Sequence, residues 1–126
     1  MMILLIAFLL FIPLIFLAVG LLFRKHPPKE VNWAFGYRTR RSCASQQAWD
    51  FAHAYFAKVA LRMGAVLLVA TGAAIAVSMI VASFEGLKTA ALYIEAAQLV
   101  SLWVPVFIVE RKLRREFDEE GRPKNT

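Results

Sequence analysis

The sequence predicts an all-α, polytopic membrane protein with three transmembrane helices and an interfacial amphipathic helix before the second span. Two observations carry this. Of 126 residues, 60% are hydrophobic and 19% charged, against about 45–50% and about 25% in an ordinary soluble domain. The apolar excess is gathered into three long runs, and basic residues collect at one set of run ends. Three crossings leave few residues for a folded part outside the bilayer, so a single membrane domain over 1–126 is expected.

The first span is expected over 2–23. This stretch carries no charge and stops at Arg24-Lys25-His26-Pro27-Pro28, and about 20 helical residues suffice to cross a bilayer core. A secretory leader would open with basic residues and have a shorter apolar core, so an uncleaved helix is expected. Pro13 lies inside it, tolerable where a neighbouring helix covers the carbonyl that proline leaves unbonded. The second span is expected over 63–84. Ala70, Ala74, Ser78 and Ala82 recur at every fourth position, with Gly64, Gly72 and Ala76 on a second line; such ridges let helices approach closely in lipid. The third span, over 89–109, is interrupted by Glu95 and contains Gln98 and Ser101, and Pro105 near its cytoplasmic end could bend the last turns.

Orientation follows from the cations. The connection 24–62 holds eight Lys and Arg, the tail 110–126 six, and the short link between the second and third spans only Lys88. Cytoplasmic segments carry such an excess, so the N-terminus is expected outside and the C-terminus inside an inner membrane. The tail, six basic and five acidic residues, should leave the membrane as helix and then fray.

The connection 24–62 is too long for a bare link. Gly36 between Phe35 and Tyr37 suggests a turn at positive φ, and Ser42 or Ser45 could cap a helix beginning near Gln46. Trp49, Ala52, His53, Phe56, Val59 and Ala60 return at helical spacing. That helix should lie at the interface and continue, or bend at Gly64, into the second span. Trp33, Tyr37, Trp49 and Tyr55 are natural interfacial anchors.

Pro28, Asn32, Gly36-Tyr37-Arg38-Thr39, Ser42, Trp49 and Ala52 together resemble the signature of the SdpI family of small bacterial membrane proteins. The family is named for an immunity protein against a secreted killing peptide, which also draws a repressor to the membrane. The resemblance runs from about Pro28 into the tail around Phe117 and Gly121. It implies a membrane module for immunity or envelope signalling, partnered by a toxin peptide or by a cytoplasmic or membrane protein. Asn32, Gly36, Tyr37, Arg38, Thr39, Ser42 and Trp49 are then its candidate contact residues.

Arg38 has three possible employments: pinning the loop to the next helix through Asp50, holding a lipid or ligand phosphate, or meeting a protein. Glu95 and Gln98 form a polar stripe inside a span. A carboxyl there must face protein or water, or be protonated. Hydrogen bonds to small residues of the second span are the plainer expectation, and a site in a small transporter or lipid-handling subunit the sharper one.

No enzyme constellation is recognisable: no metalloprotease His-Glu spacing, phosphate-binding glycine loop or serine with a base. Cys43 is the single cysteine, and His26 and His53 are far apart, so neither metal nor cofactor is expected. The net charge of +6 is explained by topology and lipid contact, without a nucleic-acid partner. Oligomeric state is left open.

Overall fold

A computed structural model describes residues 1–124. Its helices are α1 (Met2–Lys25), α2 (Gln46–Ser101) and α3 (Val104–Glu116). α1 and the nearly continuous run Gln46–Glu116 are both long and apolar enough to cross a membrane. Phe8, Phe11, Val66, Val69, Ile80, Val81, Leu92 and Tyr93 point outward and are exposed. In water such surface would cost about 25 cal/mol per Å²; against lipid tails it costs nothing comparable.

α1 buries one stripe, Leu9, Ile12, Pro13, Phe16, Gly20 and Phe23, at the three- and four-residue steps of a helix face. It lies against the first half of α2 in a close antiparallel contact. A Cβ on Gly20 would come within 3.0 Å of the Leu61 backbone nitrogen, and one on Gly64 equally near that of Leu17. Glycine is what permits this approach. On the expected ridge Ala70 and Ala82 are exposed and Ala74 and Ser78 half-buried, while on the second line Gly64 makes the contact and Gly72 and Ala76 are exposed.

α2 is one hydrogen-bonded element only in outline. Ser83, at φ 55 and ψ −159, leaves helical geometry and folds the limb 84–101 back on 46–82, so that Thr71 and Gln98 meet. Leu87 and Ala91 pack with Leu9 of α1 in the same cluster. The turn therefore needs one residue rather than the expected link: Glu85 and Lys88 are already helical and form an ion pair at 2.8 Å.

Two further elements make definite what the sequence left open. Of the two courses expected for the amphipathic segment from Gln46, continuation into the second span or a bend at Gly64, the structure shows continuation. The segment runs without a bend through Gly64, because its apolar face is covered by the preceding loop and by α3, with Ala48, Trp49, Ala52 and Ala57 buried. The third apolar run is broken at Leu102–Trp103. Pro105 has no N–H for the Ser101 carbonyl, and Leu102 and Trp103 tighten to bonds with Leu99 and Val100.

α3 packs Val109 and Leu113 against Phe23, Tyr37, Ala48 and Ala52. The chain beyond it docks rather than frays. Phe117 is buried and meets Phe51 edge to face at 5.4 Å, it bridges to Pro123, and the Gly121 carbonyl accepts from Ser45 Oγ at 2.6 Å. Asp118 closes this turn, accepting from the Arg122 and Glu120 backbone N–H groups. The Arg122 backbone bond leads in holding its carboxyl below the usual range.

Candidate functional site

The signature residues lie in the segment joining α1 to α2, apart from Trp49 in the first turn of α2, and each has a local task. Asn32 Oδ1 accepts from the backbone N–H of Ala34 at 2.9 Å and of Phe35 at 2.7 Å, a side-chain imitation of a backbone turn. Gly36 follows at φ 119. Thr39 and Ser42 bond reciprocally, backbone N–H to hydroxyl, at 2.8 and 3.1 Å, and Ser42 Oγ donates to the Tyr37 carbonyl at 2.9 Å. The helix cap is Ser45, whose Oγ accepts from Ala48 N–H at 3.0 Å; Ser42 is wholly committed to the loop.

Trp49 and His53, one turn apart on α2, hold this loop. Trp49 Nε1 donates to the Pro28 carbonyl at 2.7 Å. The Tyr37 backbone N–H donates to His53 Nε2 at 2.8 Å, and His53 Nδ1 lies 2.8 Å from the Trp49 carbonyl. Both ring nitrogens are thus satisfied only by the neutral Nδ1–H tautomer. Tyr37 is itself buried and donates its hydroxyl to Glu110 Oε1 of α3 at 2.8 Å. Burial first, then the Glu110 carboxylate, pushes the phenol well above its ordinary range. Trp49 and Tyr37 are therefore interior struts, not the interfacial anchors expected of them.

His53 and Glu110 are the two members of this knot that sequence reasoning passed over. A histidine one turn after Trp49 on the buried face was visible; its bond to a backbone N–H sixteen residues earlier was not. His53 is 1% exposed, and burial lowers its pKa despite the Trp49 carbonyl and the nearby Asp50 charge. The unfolded chain then binds the proton more readily, so the stability of this contact is complete above about pH 6.5 and declines as pH falls below it. Unfolding midpoints in detergent are expected to drop between about pH 7.5 and about pH 5.5, and His53→Asn should flatten that dependence. An unchanged slope in the variant would show that other groups cause it.

The knot leaves an outer face. Trp33 is 85% exposed, and Arg38 Nη1 donates to its backbone carbonyl, so both residues belong to the same exposed face of the loop. Val31, Trp33, Arg38 and Arg40 border a shallow cavity of about 510 Å³. The expected link from Arg38 to Asp50 does not form; Asp50 Oδ1 accepts from Gln46 Nε2 at 2.8 Å.

Glu95 and Gln98 lie away from this loop, in the bundle. Gln98 Nε2 donates to the Leu9 carbonyl at 2.9 Å and to Thr71 Oγ1 at 2.8 Å. Leu9 is four residues before Pro13, so its carbonyl is the acceptor that proline leaves without an intrahelical donor. One amide thereby joins α1 and both limbs of α2. Among the described residues Gln98 Oε1 and Glu95 Oε2 are buried without a partner, and no bond between Glu95 and the second span is formed there.

Residues 29–109 match the profile of the SdpI/YfhL protein family. Over 48 residues the chain is 42% identical to the uncharacterized protein YfhL of Bacillus subtilis (strain 168), a stretch covering 38% of this chain and 44% of that one. The chain thus matches less than half the length of that relative. No solved structure matches.

Proposed function

This chain belongs to the SdpI/YfhL protein family, and on that premise we propose that it is a non-enzymatic membrane module that gives immunity to an antimicrobial peptide or signals envelope stress through a protein partner. It would cross a bacterial inner membrane three times, through α1, the part of α2 from Met63 to its turn at Ser83, and the limb beyond that turn, with the N-terminus outside and the loop and tail inside. The strongly one-sided distribution of Lys and Arg supports this orientation, and impermeant labelling of a cysteine at Lys88 reads it directly. The observation that carries the functional reading is the outer face of the knotted loop. A rigidly built support presents Trp33 and Arg38, the residue types that dominate binding energies at protein interfaces.

A second reading makes the chain a small transporter or lipid-handling subunit working through Glu95. The unpartnered Glu95 Oε2 and Gln98 Oε1 favour it. Paired variants separate the two. Cells expressing the chain are challenged with secreted membrane-active peptides, and survival and envelope-stress transcription are scored at matched membrane abundance. Arg38→Lys keeps the charge but loses the planar fork, and is expected to cut the response at least fivefold while Glu95→Gln stays within twofold. The opposite ranking would install the transport reading, and a wild-type chain with no effect on either readout would sink the immunity and signalling proposal.

A further inference from the structure

We propose that the cleft between α1 and α2, beside the knotted loop, binds the phosphate group of an anionic membrane lipid. The cleft has a volume of about 580 Å³, and its lining includes Arg24, Lys58 and Arg62 together with the apolar Phe23, Ala57 and Leu61. Arg24 lies in the last turn of α1, and the antiparallel contact of Gly20 with Leu61 and Leu17 with Gly64 sets it at the height of Lys58. Lys58 and Arg62 are four residues apart on α2 and share a face. Among the described residues none of the three cations has a carboxylate partner.

The charge balance at the mouth is one-sided. Asp50 also lines the cleft, but it stands eight residues from Lys58, roughly 12 Å along the helix, and is engaged by Gln46. His53, at the base, uses both nitrogens in its neutral form and adds no charge. Three neighbouring cations repel one another, and an anion seated among them relieves that repulsion while gaining charge-assisted bonds. The apolar walls weaken screening.

Lipid is favoured over free phosphate by position and by lining. Arg24 directly follows the first uncharged run and Arg62 directly precedes the second, the level at which head groups meet water. Phe23, Ala57 and Leu61 offer the upper part of an acyl chain or glycerol backbone an apolar wall. The proposal rests on the membrane placement of the family and is independent of immunity or signalling.

The test uses the full chain purified in a neutral detergent, with retained lipid counted by native mass spectrometry. Phosphatidylglycerol is expected to bind at one per chain, at least tenfold more tightly than phosphatidylcholine. Arg24→Gln/Lys58→Gln/Arg62→Gln should weaken it at least tenfold. Arg111→Gln/Arg114→Gln/Arg115→Gln, which removes equal charge from α3, should change it less than twofold. Should the triple variant fail to fold, the exposed Lys58→Gln alone is expected to lose about threefold with an unchanged melting curve. Equal losses from both triple variants would overturn the proposal in favour of general electrostatics. Equal retention of phosphatidylcholine would overturn it as well. Glycerol 3-phosphate displacing the lipid at equal concentration would reassign the cleft to free phosphate.

Discussion

Replacing Gly36 by alanine is expected to cost about 2–4 kcal/mol of folding stability, far more than one methyl group ordinarily does. Two effects add. At φ 119 the backbone is in a region that residues with a Cβ rarely enter. The new Cβ would also stand 2.7 Å from His53 Nε2, 3.0 Å from Trp49 and 3.1 Å from Pro28. Relieving that overlap means moving His53 away from the Tyr37 N–H, and with it Tyr37 from Glu110, so the loop, α2 and α3 loosen together. Unfolding titrations in mixed micelles measure the loss. Gly72→Ala is the control: a Cβ there meets nothing within 4 Å, and a change within about 0.5 kcal/mol is expected. Equal effects at the two glycines would refute the knot as a stabilising element.

Gln98→Leu is expected to cost about 1–3 kcal/mol, because it strips a side-chain donor from a carbonyl whose α-helical donor position is occupied by Pro13. Interhelical hydrogen bonds in membranes average only about 0.6 kcal/mol, since partners are usually found elsewhere. The Leu9 carbonyl is a special case: its intrahelical donor is missing at Pro13. A double-mutant cycle isolates this. Pro13→Ala restores the N–H that reaches Leu9 within α1, so Gln98→Leu should cost about 1 kcal/mol less in that background. Additive losses would mean that Gln98 acts through Thr71 or through packing alone.

Much of this protein was legible in one dimension. Helical class and apolar helices long enough for a membrane follow from uninterrupted apolar length, a property each segment has by itself. The family follows from Gly36-Tyr37-Arg38-Thr39 and its neighbours, and the positive φ of Gly36 from the one residue type that bears it cheaply. Even the need for something to cover the carbonyl freed by Pro13 was predictable, because proline's missing donor is a covalent fact. What covers it was not. Gln98 lies 89 residues from Leu9, and in the sequence it stood only as part of a polar stripe with Glu95. The same holds for Trp49 and Tyr37, amphipathic side chains suited to an interface or an interior; only the packing of loop, α2 and α3 made them interior. His53 and Glu110 gained their places because backbone N–H and hydroxyl groups far away in the chain needed acceptors. Local chemistry states what each residue can satisfy, but the pairing of donors with acceptors across long separations is settled only when the helices pack and water leaves.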